Sequence, residues 1–92
     1  MLNAWVSRIS EKNFLRVAEQ ALHALYERFP EPLSTAALSQ EIGRDNEFVL
    51  RVLEFLEKKG MAKRTGNVAR MRLWTITPAA RKKYDSALQQ SG

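Results

Sequence analysis

The chain has no cysteine and a single histidine, His23. Without thiols there is no disulfide frame and no thiol chemistry, which fits an intracellular, cytoplasmic protein. One histidine and no cysteine leave no ligand cluster for a metal and almost no material for a nucleophile–base pair. No metal, no cofactor and no enzymatic activity are therefore expected, and His23 reads as a surface residue. Long apolar runs are also missing. None approaches the roughly 20 residues of a membrane span, so no membrane partner is expected. The first nine residues are broken by Asn3, Ser7 and Arg8 and do not read as a secretory signal. Gly60 and Gly66 flank Lys63 without the spacing or the Lys-Ser/Thr end of a phosphate loop.

Acidic residues are nearly absent from the last third. Up to Lys59 there are eight Lys/Arg against nine Asp/Glu. From Gly60 onward there are seven basic residues against Asp85 alone, and the net charge of +5 lies there. Segregated positive charge is the footprint of a polyanion binder. The plainer reading is a solvated face. The coincidence of the charge with a hairpin pattern favours the polyanion.

The 92 residues make one small domain, 1–92, with apolar content ordinary for a globular fold. The clearest stretch is Asp45 to Gly60. Val49, Val52, Leu53 and Leu56 recur at helical spacings of 3, 4 and 7. Asp45 stands at the N-cap, its carboxylate expected to accept from first-turn amides. Lys58 and Lys59 fill the last turn, and Gly60 suits a left-handed residue after it. Before it, Ser34 caps a short helix with Ala37, Leu38 and Ile42 inward, closed by Gly43. Two helices joined so tightly cross steeply, which is helix-turn-helix geometry.

Upstream, Leu2, Trp5, Val6 and Ile9 form one helical stripe, a short extension over 1–9. An exposed Trp on such a piece suggests pairing with a second subunit. Ser10 is read as the N-cap of the next helix, Glu11 to about Phe29, with Phe14, Val17 or Ala18, Ala21, Leu22, Leu25 and Phe29 inward. Pro30 and Pro32 end it. Pro32 to Ser34 reads as short and extended.

After Gly60 the period changes to 2. Met61–Thr65 and Met71–Thr77 read as antiparallel strands with Gly66–Arg70 as their loop. Trp74 and Ile76 share one face. Thr77 caps a last helix over 78–89 with Pro78 at its first position, and residues from Gln89 onward are expected to fray.

The element order, with Leu38-Ser-Gln-Glu-Ile-Gly43, Leu56-Glu-Lys-Lys-Gly-Met-Ala-Lys-Arg64 and Leu73-Trp-Thr-Ile-Thr77, resembles winged helix-turn-helix regulators. Small MarR, PadR and ArsR types are the nearest likeness. The resemblance implies an α+β, mainly α fold: a three-helix core in 11–60, a two-stranded basic wing in 61–77, an extra N-terminal helix and a C-terminal helix. It implies a transcriptional regulator of double-stranded DNA. Helix 45–59 would enter the major groove with Asn46, Glu47, Leu50 and Arg51 facing bases, and Arg44 beside a phosphate. Lys63, Arg64, Arg70 and Arg72 would meet the backbone or minor groove. A homodimer is implied, with Leu2, Trp5, Val6, Ile9, Tyr84 and Leu88 as pairing residues.

The proposed reading helix is not basic, since Asp45, Glu47, Glu54 and Glu57 oppose Arg51, Lys58 and Lys59. Phe48 and Phe55 share a helix edge, at the border of the core or as anchors of a protein-binding groove. The alternative function is therefore a winged-helix protein-interaction module, or a subunit of a nucleic-acid complex, using Phe48, Leu50 and Phe55.

Overall fold

A periodic apolar stripe sets the first helix. In the computed structural model, which describes the backbone of residues 2–68 and 71–91 and the side chains of 12–66 and 71–88, α1 runs from Leu2 to Arg28. Val17, Ala18, Ala21, Ala24 and Leu25 are buried along it. The helix does not restart at Ser10. With residues 2–9 already helical, the amides that Ser10 was expected to cap bond within the helix. The N-terminal extension and the first core helix are thus one element. Just past its end the Phe29 amide still donates to the Leu25 carbonyl (3.1 Å), ahead of a cis Phe29–Pro30 peptide.

Residues Leu33–Ser34 form β1, and Thr35–Ile42 form α2. Ser34 is extended (φ −77°, ψ 159°) and its hydroxyl accepts from the Ala37 amide at 3.0 Å, the expected N-cap. Gly43 takes φ 80°, a left-handed conformation that costs a side chain about 1–2 kcal/mol. The Gly43 and Arg44 amides both donate to the Ser39 carbonyl, and the buried Ser39 hydroxyl donates to the Arg44 carbonyl. That closes the turn into α3, Asn46–Lys58.

Asp45 has the extended backbone of an N-cap (φ −72°, ψ 157°), but its side chain accepts no capping bond. At the other end the prediction for Gly60 holds. It has φ 76° and donates to Glu57, while the Met61 amide donates to Leu56 at 2.8 Å, a Schellman ending. Val49, Val52, Leu53 and Leu56 are all buried.

The hairpin consists of β2 (Ala62–Val68) and β3 (Met71–Ile76). This two-stranded wing is extended by β1, which pairs with the other edge of β3 and gives an antiparallel three-stranded sheet in the order β1-β3-β2. Leu33 pairs with Trp74 and Ser34 with Leu73. The loop expected over 66–70 is also shorter, because Gly66 to Val68 belong to β2 and Val68 pairs with Met71. The register shifts between Arg64, opposite Trp74, and Gly66, opposite Leu73, so Thr65 is an extra bulged residue. Gly66 supplies φ 134° inside the strand, not in a loop.

Trp74 is fully buried and sits at the centre, its Nε1 donating to Thr35 Oγ1 at 2.9 Å. Ile76 is equally buried. Thr77 then begins α4, Pro78–Ser91. Its hydroxyl accepts from the Ala80 amide (3.2 Å) and donates to the Gly60 carbonyl (2.8 Å), so one side chain caps α4 and ties it to the end of α3. The helix continues past Gln89 to Ser91, further than the expected fraying point. The fold is a winged helix-turn-helix, mainly helical, with four helices and three strands among the described residues.

Candidate nucleic-acid interface

The burial of Val49, Val52, Leu53 and Leu56 fixes what α3 shows to solvent. Its outward stripe is Glu47, Arg51, Glu54 and Lys58, all exposed and alternating in charge. One flank carries Leu50 and Glu57 and faces the wing. The other carries Phe48 and Phe55 and faces α1. The stripe has no net charge, so this helix attracts phosphate weakly.

Where the starts of α2 and α3 meet the wing there is a cleft of about 280 Å³. Ser34, Thr35 and Ala36 line one side, Asn46, Glu47 and Leu50 another, and Met71 and Arg72 the third. The β1–β3 pairing builds this cleft, because it holds the N-terminus of α2 beside the wing. Four residues expected at DNA therefore share it: Asn46, Glu47, Leu50 and Arg72. Ser34, Thr35 and Met71 were not anticipated there. The pairing of Leu33 with Trp74 brings Ser34 and Thr35 there, and a two-residue strand leaves no periodic signal; Met71 comes with the hairpin, opposite Val68.

Arg51 lies one turn further along α3, exposed and without an ion-pair partner among the described residues. Lys63 is exposed on the face of β2 opposite Ala62 and Arg64. Arg44 is engaged by the protein. Its Nη2 donates to Asn13 Oδ1 at 2.9 Å and its guanidinium lies 5.1 Å from the Phe48 ring centre. Arg64 is engaged as well, by Glu57 (3.2 Å) and Glu54 (3.7 Å). Arg70 lies outside the described residues.

The aromatic face resolves differently from the groove reading. Phe14 of α1 stands edge-on to both Phe48 and Phe55, with ring centres 5.9 Å and 5.2 Å away. These two rings are partly buried against the core, while Leu50 lies on the opposite flank. Phe48, Leu50 and Phe55 do not form one surface.

The pairing residues divide similarly. The side chains of Leu2, Trp5, Val6 and Ile9 lie outside the described ones. Tyr84 stacks on Tyr26 at 4.4 Å, joining α4 to α1, and Leu88 is half-exposed. His23, exposed as expected, bridges Tyr84 (Nδ1 to the hydroxyl, 2.8 Å) and Glu27 (3.2 Å). The Tyr26 hydroxyl donates to Asp85, and this bond, followed by burial and the Asp85 charge, raises the Tyr26 pKa. Burial, then the charges of Glu19 and Glu27, raises that of Tyr84. No helix among the described residues is long and apolar enough to cross a membrane. No cluster of acidic residues and histidine able to hold a metal occurs among them.

No protein-family model matches the chain, and no curated protein sequence matches it. Solved structures do. MepR of S. aureus in complex with DNA superposes with a TM-score of 0.68 over 98% of this chain and 84% of that one, at 18% identity. ZitR of Lactococcus lactis, a mutant in apo form, gives 0.65 over 98% and 71%, at 20% identity. A transcriptional regulator of the MarR family from Silicibacter pomeroyi gives 0.66 over 79% and 49%, at 23% identity. These likenesses show a MarR-like winged-helix fold.

Proposed function

We propose that this winged-helix chain is a DNA-binding transcriptional regulator acting as a homodimer. The observation that carries the reading is the shared cleft: Asn46, Glu47 and Leu50 at the start of α3 and Arg72 on the wing converge beside the start of α2. A helix start and a cationic wing on one surface suit a duplex, with side chains at base edges and basic groups on phosphate. The likeness in fold to MepR, whose structure was solved in complex with DNA, supports a DNA-binding reading.

In this reading Asn46, Glu47, Leu50 and Arg51 face the major groove. Arg51 takes a guanine through two hydrogen bonds, and Glu47 accepts from a cytosine amino group. Lys63, Arg70 and Arg72 hold phosphates. Because the outward stripe of α3 is neutral, the wing supplies the sequence-independent attraction and α3 supplies discrimination. Pairing through α1 and α4 brings two such surfaces onto one duplex.

Selection from a randomised duplex pool tests this. The expected product is a pseudo-palindrome whose half-site centres lie about 10 base pairs, one helical turn, apart. A pool that stays random after repeated selection contradicts the proposal.

A further inference from the structure

Arg64 differs from the other described cations of the wing. Its Nε lies 3.2 Å from Glu57 Oε2 and its Nη2 3.7 Å from Glu54 Oε2. Its guanidinium carbon is 5.0 Å from the ring centre of Trp74. Glu54 and Glu57 belong to α3, whereas Trp74 belongs to β3 and donates to Thr35 on α2. Arg64 thus sits where the wing, α3 and, through Trp74, the start of α2 are joined. It is also the last residue of β2 before the register shifts at Thr65. A bulge bends and twists its strand, so the residue before it is well placed to set where the rest of the wing points.

We propose that Arg64 is a positioning residue, not a phosphate ligand: it holds the wing against α3 and so places Arg72 relative to Arg51. The inference rests on the DNA reading above. Its argument is electrostatic. Two carboxylates face one guanidinium, so the cluster carries a net negative charge while Arg64 is in place. Swinging Arg64 to a phosphate would leave Glu54 and Glu57 unpaired beside a polyanion. The side-chain type matters too. Arginine spans two carboxylates with separate N–H groups while stacking on an indole, and a lysine ammonium does not. The side chains in both ion pairs are 37–47% exposed, so they add little to global stability. The cluster acts on direction more than on folding.

The test is fluorescence anisotropy of a labelled random-sequence duplex with the parent chain, Arg64→Ala, Arg64→Lys, Glu57→Gln and Arg72→Ala, across a salt series. Thermal unfolding shows that each variant is folded. Arg72→Ala, a phosphate contact, should make the log–log salt slope shallower by about 0.9. Arg64→Ala should weaken binding by about fivefold with the parent slope retained. Arg64→Lys should not restore it. Glu57→Gln should also weaken binding, although it removes negative charge facing a polyanion. An Arg64→Ala slope that falls as Arg72→Ala does, with Arg64→Lys behaving as the parent, overturns the inference in favour of a phosphate contact. Tighter binding by Glu57→Gln, or unchanged affinity in Arg64→Ala, overturns it as well. Absence of binding by the parent chain removes the DNA reading itself, an outcome separate from these.

Discussion

Phe14 of α1 stands edge-on to Phe55 of α3, their ring centres 5.2 Å apart and their planes at 84°. Phe14 meets Phe48 in the same way, so one ring of α1 clasps both ends of the aromatic edge of α3. Phe14→Ala should therefore destabilise the fold by about 2 kcal/mol, less than a fully buried Phe because the site is partly open. A melting temperature roughly 10 °C lower is the expected outcome for a domain this small. Phe48→Asp should also lower it. A Phe48→Asp chain that melts like the parent would show that the ring is not part of the core border.

The hydrogen bond from Trp74 Nε1 to Thr35 Oγ1 (2.9 Å) joins the buried centre of the sheet to the start of α2. Trp74→Phe keeps the aromatic burial but leaves the Thr35 hydroxyl without this donor. A loss of about 1–2 kcal/mol in chemical denaturation is expected, of which the hydrogen bond is about half. Thr35→Val alone should cost about 1 kcal/mol, and the double variant should cost less than the sum of the two.

The chain has two tyrosines, Tyr26 and Tyr84, and they stack on one another. Both have pKa values raised above the usual 10.0. A spectroscopic titration of phenolate in the native chain should therefore show no tyrosine ionising at or below the free value. The neutral forms are the ones favoured by folding. Their contribution is complete below pH 10 and is lost as the pH climbs through the raised values. Denaturant midpoints measured from pH 9 upward should fall in that window. A native phenolate transition centred at or below the free-tyrosine value contradicts the α1–α4 contact described here.

Arg51 and Arg72 should fail differently. If Arg51 reads a base as proposed, Arg51→Ala should lower affinity for a selected site by about tenfold or more, with random-sequence binding little changed. Arg72→Ala should weaken selected and random duplexes alike. Competition assays with both duplexes separate the two patterns, and identical behaviour of the two variants would contradict the division of roles.

Much of this architecture was legible because its signals are local. Gly43 and Gly60 end their helices in left-handed conformations, Ser34 and Thr77 accept from the amides three residues on, and Trp74 and Ile76 are buried. The misreadings are places where context overrides a local signal. Ser10 has the chemistry of an N-cap but lies inside a continuous helix. Asp45 has the backbone of a cap and not its bond. Gly66 looks like a loop residue, yet a bulge accommodates it within β2. What could not be read is long-range: the pairing of Leu33 with Trp74, the clasp of Phe14 on Phe48 and Phe55, and the capture of Arg64 by Glu54 and Glu57. The candidate site inherits this pattern. Its residues on α3 follow from the helix period, while its floor at Ser34 and Thr35 exists only because β1 pairs across forty residues of chain.

The most direct measurement is the anisotropy of a labelled random-sequence duplex titrated with the parent chain at several salt concentrations. The proposed role of Lys63, Arg70 and Arg72 as the phosphate-binding cations predicts affinity that falls linearly in log–log form, with a slope of about 3 per bound subunit. Binding that is absent even at about 50 mM salt, or that does not weaken as salt rises, would contradict it.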